Sequence, residues 1–289
     1  MVIGFVGTGV MGSSMARRLL QHGYEVMVYT RTKEKAQPIL SEGAEWGETI
    51  QDVTRSSDVV ITMVGYPSDV EEVYFGSNGI LESAEEGTYV IDMTTSKPKL
   101  AQQISEKAKE KKLYALDAPV SGGDIGAREG RLTIMVGGDK DAYEKMKPVF
   151  DILGTNVVLQ GEAGAGQHTK MANQITIASN MIGVCEAIVY AQKAGLDPEN
   201  VLKSIESGAA GSWSLSNLAP RMLKKDFEPG FYVKHFIKDM TIALEAAEEM
   251  NMMTPGLELS KSLYEKLAKE GDANSGTQAL VKLYARDLY

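Results

Sequence analysis

The sequence predicts an α/β domain with a mostly parallel sheet, followed by an all-helical domain. In the first half, short runs rich in valine and isoleucine alternate with segments of helical periodicity. Strands of this kind favour a parallel sheet whose two faces are both covered by helices. From Gly166 onward no strand pattern appears. The boundary is expected in the segment GEAGAG, with residues 1–163 forming the first domain and residues 164–289 the second.

The elements of the first domain follow from this alternation. We predict strands at the apolar runs VIGFVG, EVMVYT, DVVITMV, TYVIDM, LYALDAPV, RLTIMVGG and TNVVLQG. Helices are predicted at MGSSMARRLLQHG, at TKEKAQPILSEGA and over residues 97–111. The first helix ends at Gly23, because glycine readily adopts the left-handed conformation that closes many helices.

The second domain begins with one long helix. Its apolar residues recur at spacings of three and four, which is typical of one helix face; they are Met171, Ile175, Ala178, Ile182, Cys185 and Val189. The helix spans up to about 27 residues, or roughly 40 Å at 1.5 Å per residue. The segment ITIASNMIGVCEAIVYA is apolar nearly all round, which predicts burial against its own domain and against a partner subunit.

Shorter helices complete the second domain. Asp197 and Pro198 start the first of them, because aspartate caps a helix and proline fits its first turn. The others are predicted over residues 215–225, 233–250, 256–270 and 277–288.

Composition and charge exclude several functions. The chain has 289 residues and a formal net charge of −9, which disfavours nucleic-acid and anionic-membrane partners. Its single cysteine, Cys185, excludes a disulfide framework and a cysteine metal cluster, so no metal site is expected. The chain starts with a strand rather than a leader, and no apolar run approaches the length of a membrane span. We therefore expect a cytoplasmic protein.

A glycine fingerprint follows the first strand. The segment GTGVMG has the GxGxxG spacing of a dinucleotide-binding Rossmann-type domain and stands between a strand and a helix, as that motif requires. The first glycine permits a tight turn, the second lets the backbone approach a pyrophosphate, and the third permits close packing of helix on strand. The alternative is a glycine-rich turn without a ligand. The predicted cofactor contacts are Gly7, Thr8, Gly9, Val10, Met11 and Gly12.

The end of the second strand indicates which dinucleotide is bound. An acidic residue about 20 residues after the fingerprint usually binds the adenine ribose, whereas this strand ends in Thr30, Arg31 and Thr32. Arginine suits phosphate oxygens, and threonine does not repel them. The sequence therefore predicts NADP(H) rather than NAD, unless Arg31 is only a solvated surface residue. Met63 and Val64, at the end of the strand DVVITMV, are further cofactor candidates.

Two other segments carry polar groups that suit a small acidic substrate. Ser121, Gly122 and Gly123, in DAPVSGG, leave backbone N–H groups uncovered, which suits a carboxylate. Lys170 and Asn173, at the start of the long helix, are three residues apart and share a helix face. The residues alone leave plainer alternatives open for both segments, namely a β-turn without a ligand and a surface lysine.

The chain resembles the β-hydroxyacid dehydrogenase family over its whole length. This family includes 3-hydroxyisobutyrate dehydrogenase, tartronate semialdehyde reductase and glyoxylate/succinic semialdehyde reductase. The resemblance rests on the ordered motifs GTGVMG, DMTTS, DAPVSGG, GAGQHTKMANQ and KDMTIAL. The TRT context of Arg31 is similar to that of the members that use NADPH.

The resemblance implies roles for individual residues. Lys170 matches the family's catalytic lysine, and Asn173 matches a residue beside the substrate. Ser121, Gly122 and Gly123 match the loop that binds the substrate carboxylate.

The resemblance also extends to the cofactor and to assembly. Thr95 and Lys238 match positions that contact the cofactor near its nicotinamide half, and Asp239 beside Lys238 is expected to be structural. The chain departs from many members at Gln174 and at Asp69, where asparagine is common. Family members form dimers or tetramers through the helical domain, so we expect a homodimer or a homotetramer.

These observations predict an NADP-dependent oxidoreductase that interconverts a small β-hydroxyacid or 2-hydroxyacid with the matching semialdehyde or oxo acid. Its partner would be a small carboxylate-bearing aldehyde or hydroxyacid. Because an unperturbed lysine is protonated at neutral pH, Lys170 could donate a proton to the carbonyl oxygen, and reduction should dominate near pH 7. The alternatives are an NAD-type 3-hydroxyisobutyrate dehydrogenase, an imine reductase and a dinucleotide-binding protein without activity. Lys170 argues against an imine reductase, and Lys170 with the SGG motif argues against a non-enzyme.

Overall fold

The computed structural model describes residues 1–285. The chain divides into two compact units, Met1–Lys170 and a second unit that begins at Met171. The predicted fold class is confirmed, because a mostly parallel sheet with helices is followed by a helical region. The division lies inside the long helix, and the domain boundary predicted between residues 163 and 164 stays a prediction.

The first unit is built on a nine-stranded sheet. Its strands are β1 (Val2–Val6), β2 (Glu25–Tyr29), β3 (Glu45–Trp46), β4 (Val59–Thr62), β5 (Tyr89–Asp92), β6 (Tyr114–Asp117), β7 (Val120–Ser121), β8 (Leu132–Gly138) and β9 (Gly154–Gly161). Their order is β3-β2-β1-β4-β5-β6-β8-β7, with β9 paired to β8. The strands from β3 to β6 pair in parallel, β8 runs antiparallel to β6 and β7, and β9 is parallel to β8. The run LYALDAPV, predicted as one strand, forms β6 and β7 with Pro119 between them.

The helices of this unit are more numerous than predicted. They are α1 (Val10–Gln21), α2 (Gln37–Leu40), α3 (Ile50–Arg55), α4 (Pro67–Phe75), α5 (Ile80–Ser83), α6 (Pro98–Glu110), α7 (Gly123–Glu129) and α8 (Lys140–Leu153). The sequence interpretation had not identified α3, α4, α5, α7 or α8. The helix predicted over TKEKAQPILSEGA forms only a 3₁₀ turn, Lys33–Ala36, and the short α2. Phe5, Ile61 and Leu19 lie in the apolar core between the sheet and its helices.

The second unit contains most of α9 (Ala165–Lys193) and the helices after it. These are α10 (Pro198–Ile205), α11 (Trp213–Asn217), α12 (Ala219–Leu223), α13 (Val233–Glu249) and α14 (Pro255–Lys269), with 3₁₀ turns at Asp272–Asn274 and Thr277–Leu283. The helix predicted over 215–225 is α11 and α12, interrupted at Leu218 before Pro220. The one predicted over 277–288 is a 3₁₀ turn to Leu283, and its last three predicted positions lie outside the described residues. Phe236 and Tyr264 pack edge to face in this core, 5.0 Å between ring centroids.

The long helix α9 buries one face only. Met171, Ala178, Cys185 and Val189 of the predicted face are buried, and Ile175 and Ile182 are partly buried. The opposite stripe is exposed in the single chain; it consists of Ala172, Thr176, Ser179, Gly183, Glu186 and Tyr190. By length and composition α9 also qualifies as a membrane span, which corrects the sequence expectation, although the core helix of a soluble protein passes the same test.

Candidate active site

The carboxyl ends of four parallel strands lie side by side at one edge of the sheet in the first unit. The register pairs Val6 with Thr62, Thr62 with Asp92, and Asp92 with Asp117. The segments that follow these residues therefore emerge next to one another: the glycine loop, the segment from Met63, the segment from Met93 and the segment that leads to Ser121. Ligands of open α/β sheets bind outside such carboxyl ends.

Two glycines of the fingerprint are required by the fold itself. Gly7 has φ +101°, and a Cβ there would lie 2.3 Å from the carbonyl oxygen of Met63. A Cβ at Gly12 would lie 1.9 Å from the carbonyl oxygen of Gly7. These distances are too short for any side chain, so Gly7 shapes the turn and Gly12 lets α1 pack on it.

Gly9 is different, because nothing in residues 1–285 excludes a side chain there. Apart from its neighbours in the chain and in α1, no heavy atom of the described residues lies within 4 Å of the position that its Cβ would take, and its φ of −72° suits any residue. Gly9 is the N-cap of α1, where no side chain caps the helix and no acidic residue lies in the first turn. The free N–H groups and the positive end of the helix dipole suit a phosphate that approaches over Gly9.

The rest of the loop also fits a dinucleotide. Val10, in the first turn of α1, is an exposed apolar side chain, and Met11 is partly buried. Thr8 is buried, and among the described residues its hydroxyl has no hydrogen-bond partner. Such an orphaned hydroxyl in a loop that carries open N–H groups is consistent with a polar ligand at this place.

Met63 and Val64, two of the cofactor candidates, lie beside Gly7 of the glycine loop. The N–H of Met63 donates to the carbonyl of Val6 at 2.9 Å. The N–H of Val64 donates to Oγ1 of Thr94 at 3.0 Å. Hydrogen bonds thereby connect the segments at the carboxyl ends of β1, β4 and β5.

The structure gives Arg31 a partner that the sequence interpretation did not foresee. Thr30, Arg31 and Thr32 follow β2, and the guanidinium of Arg31 lies 3.2 Å from a carboxylate oxygen of Asp69 in the first turn of α4. The Arg31 side chain is 76% exposed, so it remains open to a further ligand. The nearby Lys33 contacts Glu48 at 3.1 Å and lies over the ring of Trp46.

Two buried carboxyl groups stand next to each other at the ends of β5 and β6. Burial raises the pKa of Asp92 to about 6, although its Oδ1 accepts hydrogen bonds from the Thr62 hydroxyl at 2.8 Å and the Thr94 N–H at 3.1 Å. Burial also raises the pKa of Asp117, against the opposing effect of the N–H groups of Gly164 and Gln167.

Asp117 holds the start of α9. Its two carboxylate oxygens accept the N–H of Gly164 at 2.7 Å and the N–H of Gln167 at 2.8 Å. A carboxylate in this place satisfies N–H groups that a helix start leaves open, and it complements the helix dipole. No local sequence pattern assigns this role to Asp117, because its partners are 47 and 50 residues away.

Gln167 fastens the same turn of α9 to the segment after β5. Its Oε1 accepts the N–H of Ser96 at 2.9 Å, and its Nε2 donates to the carbonyl of Thr94 at 2.7 Å. The side chain is fully buried. Thr95, the predicted cofactor residue, lies between these two anchor points and is partly buried.

Lys170 lies one turn beyond Gln167 on α9 and is only 7% exposed. Because Asp117 and Gln167 hold the turn before it, the backbone of Lys170 has a defined place relative to the ends of β5 and β6. Burying an ammonium group costs free energy unless it is compensated. A lysine in this environment is unlike the surface lysine that was the plainer alternative.

The predicted carboxylate loop is well defined in the first unit. Ser121 ends β7 and pairs with Thr133 of β8. Gly122 and Gly123 both have positive φ, +127° and +64°. Residues with side chains rarely adopt this backbone, so both glycines are needed to form the turn that starts α7.

The second unit contains a separate chain of polar contacts that includes both of its candidate residues. Nδ2 of Asn173 donates to Oε1 of Gln174 at 2.8 Å, and Nε2 of Gln174 donates to Oδ2 of Asp239 at 2.7 Å. The ammonium of Lys238 lies 2.8 Å from Oδ1 of Asp239, which is 1% exposed. Gln174 therefore connects Asn173 to Asp239.

The comparisons with known proteins cover both halves of the chain. Residues 2–161 match the family model described as the NAD binding domain of 6-phosphogluconate dehydrogenase. Residues 164–284 match the model described as NAD-binding of NADP-dependent 3-hydroxyisobutyrate dehydrogenase. The chain belongs to the β-hydroxyacid dehydrogenase family.

The similarity of this chain to individual proteins supports the same family assignment. The chain is 68% identical over 284 residues to the oxidoreductase YkwC of Bacillus subtilis (strain 168), covering 98% of this chain and 99% of that one. It is 40% identical over 282 residues to 2-hydroxy-3-oxopropionate reductase of Escherichia coli (strain K12), covering 98% and 96%. A solved structure, Psf3 in complex with NADP+ and 2-OPP, is 25% identical with a TM-score of 0.91, covering 98% and 99%.

The chain is therefore an oxidoreductase of the hydroxyacid dehydrogenase type, and its cofactor is a nicotinamide dinucleotide. The geometry of the glycine loop fits that cofactor, since Gly9 and the uncapped start of α1 leave room and donors for a pyrophosphate.

Proposed function

We propose that this chain is an NADP(H)-dependent reductase that converts a small carboxylate-bearing semialdehyde or oxo acid into the hydroxyacid. The proposal depends above all on Lys170. It is a buried lysine one turn after a helix start that Asp117 and Gln167 hold in place. A positioned ammonium group suits the donation of a proton during carbonyl reduction.

The residues divide the chemical work in the following way. The bound nicotinamide cofactor supplies the hydride. Lys170 donates a proton to the carbonyl oxygen of the substrate as negative charge develops there. The backbone N–H groups of Ser121, Gly122 and Gly123 hold the substrate carboxylate, and Asn173, three residues after Lys170 on α9, contacts the substrate.

Several observations support NADP(H) over NAD(H). Arg31 follows β2, where an acidic residue would otherwise bind the ribose, and its exposed guanidinium suits a phosphate. One matching family model is described for an NADP-dependent enzyme, and one similar structure contains NADP+. We assign Gly7 to Gly12, Thr30 to Thr32, Met63, Val64, Thr95 and Lys238 to the cofactor.

Assembly and location belong to the same proposal. The exposed apolar side chains of Tyr190 on α9 and of Trp213 and Met253 support a homodimer or a homotetramer. We infer that the enzyme is cytoplasmic and that the molecule it binds, besides the cofactor, is a small carboxylate-bearing aldehyde or hydroxyacid.

The first experiment is a spectrophotometric panel. Oxidation of NADPH and NADH is followed with glyoxylate, succinic semialdehyde, tartronate semialdehyde, methylmalonate semialdehyde and a cyclic imine. We expect turnover of at least one aldehyde acid with NADPH, and none of the imine. Turnover with NADH alone would favour the NAD-type 3-hydroxyisobutyrate dehydrogenase, whereas turnover of the imine alone would contradict the assignment of Lys170.

The second experiment substitutes Lys170. Lys170→Ala should lower kcat by about 10²–10⁴, the range for loss of a general acid, while NADPH affinity is kept. Lys170→Arg should restore little, because a guanidinium does not give up its proton usefully. Lys193→Ala, at the exposed end of the same helix, is the matched control and should leave kcat unchanged. A Lys170→Ala enzyme that keeps a tenth or more of the wild-type kcat would contradict the role of proton donor.

A further inference from the structure

Asp69 brings a carboxylate to the residue that is proposed to recognise the cofactor's 2′-phosphate. It lies in the first turn of α4, after β4, and one of its oxygens is 3.2 Å from the guanidinium of Arg31. The segments that carry the two residues both follow carboxyl ends of parallel strands, β2 and β4, on the two sides of β1.

The two partners are held very differently. The Asp69 side chain is 14% exposed, and its Oδ2 accepts the N–H of Tyr66 at 3.0 Å as part of a capping box. The Arg31 side chain is 76% exposed. The carboxylate is therefore fixed by α4, and its other oxygen, Oδ1, points to an arginine that solvent reaches.

The fixed carboxylate of Asp69 beside Arg31 disfavours the binding of a phosphate to the same guanidinium. The 2′-phosphate of NADPH would share the guanidinium with Asp69, and like charges close to one another repel. A ribose hydroxyl of NADH meets no such penalty, because a carboxylate accepts its hydrogen bond. The acid that is missing from the end of β2 is thus supplied from α4, 39 residues after Thr30 in the sequence.

We propose that Asp69 is a cofactor-specificity residue that weakens the preference of this chain for NADPH over NADH. This inference rests on the proposed use of NADP(H) through Arg31. It predicts that the wild-type protein binds both dinucleotides, and that the difference between their affinities is smaller than Arg31 alone would produce.

The test is a set of dissociation constants for NADPH and NADH, measured by titration calorimetry without substrate. Asp69→Asn keeps an oxygen that accepts the Tyr66 N–H but removes the charge. We expect it to lower the Kd of NADPH by about three- to tenfold, the scale of a partly exposed charge pair against a phosphate of nearly two charges. The Kd of NADH should not fall.

Asp52→Asn is the matched control. Asp52 occupies the same capping position in α3, where its carboxylate accepts the N–H of Thr49 at 3.0 Å. The variant changes the net charge of the protein by the same amount as Asp69→Asn but keeps the Asp69 carboxylate beside Arg31. Both dissociation constants should therefore stay unchanged. A second variant, Asp69→Ser, repeats the test with a smaller capping side chain if Asp69→Asn does not fold.

The outcomes separate this inference from the proposed function. An unchanged or raised Kd of NADPH in the folded Asp69 variants would overturn the inference, a rise meaning that Asp69 orients Arg31 instead. Arg31→Ala tests the proposed function itself and should raise the Kd of NADPH about tenfold or more while leaving that of NADH nearly unchanged. If Arg31→Ala affects both cofactors equally, Arg31 does not recognise the phosphate, whatever the Asp69 variants show.

Discussion

The polar anchor of α9 permits a stability prediction whose size follows from the structure. Gln167→Met keeps the length of an unbranched side chain but removes both hydrogen bonds, leaving the N–H of Ser96 and the carbonyl of Thr94 buried without that partner. An unsatisfied buried polar group costs about 1–3 kcal/mol, so the free energy of unfolding should fall by about 2–6 kcal/mol. The start of α9 carries Lys170, so kcat should fall as well.

The assay is urea unfolding followed by far-ultraviolet circular dichroism, with the midpoint compared between variants. Gln103→Met, on the exposed side of α6, is the control and should change stability by less than about 0.5 kcal/mol. If Gln167→Met unfolds at the same urea concentration as Gln103→Met, the two bonds do not stabilise the fold and the reasoning about the helix start is refuted.

The remaining predictions concern the glycine loop, a buried carboxyl group and assembly. Gly9→Ala should fold like the wild type but bind the dinucleotide at least about tenfold more weakly, whereas Gly12→Ala should lose stability, because its Cβ would lie 1.9 Å from a backbone oxygen; equal thermal midpoints of the two variants would contradict this. Since burial raises the pKa of Asp92 from 3.8 to about 6, the stability that it contributes is full below pH 3.8 and lost as the pH rises through 6. Asp92→Asn should therefore flatten the pH dependence of unfolding in that window and stabilise the protein at pH 7.5 by up to about 3 kcal/mol, and a variant that keeps the wild-type slope would refute the assignment. Light scattering at micromolar concentration should give at least twice the 31.3 kDa mass of one chain, and a monomer mass would remove the proposed assembly.

The parts of the candidate site that the sequence predicts are those that depend on neighbours in the chain. The fingerprint from Gly7 to Gly12 was recognisable because a strand, a turn and a helix follow one another within 20 residues. The place of Arg31 followed from its distance to that fingerprint. Lys170 and Asn173 share a face because the helical repeat alone decides it.

Several helices of the first unit were not predicted from the sequence because they are short. The helices α3, α4, α5 and α7 have nine residues or fewer, so each offers too few turns for a clear apolar repeat. Their positions depend on caps and on packing against the sheet. The α4 cap shows this best, because Tyr66 and Asp69 form it and Asp69 also contacts Arg31.

The sequence by itself determined the alternation of strands and helices before an all-helical region, the dinucleotide loop, the absence of an acid at Thr30 and the resemblance to a family. Only the tertiary structure decided which distant residues meet. Ser96 reaches Gln167 across 71 residues, Gly164 reaches Asp117 across 47, and Arg31 reaches Asp69 because β2 and β4 flank β1. Local patterns carry the periodicity of helices and strands, but contacts between strand ends depend on the order in which the strands assemble, and that order is a property of the whole sheet.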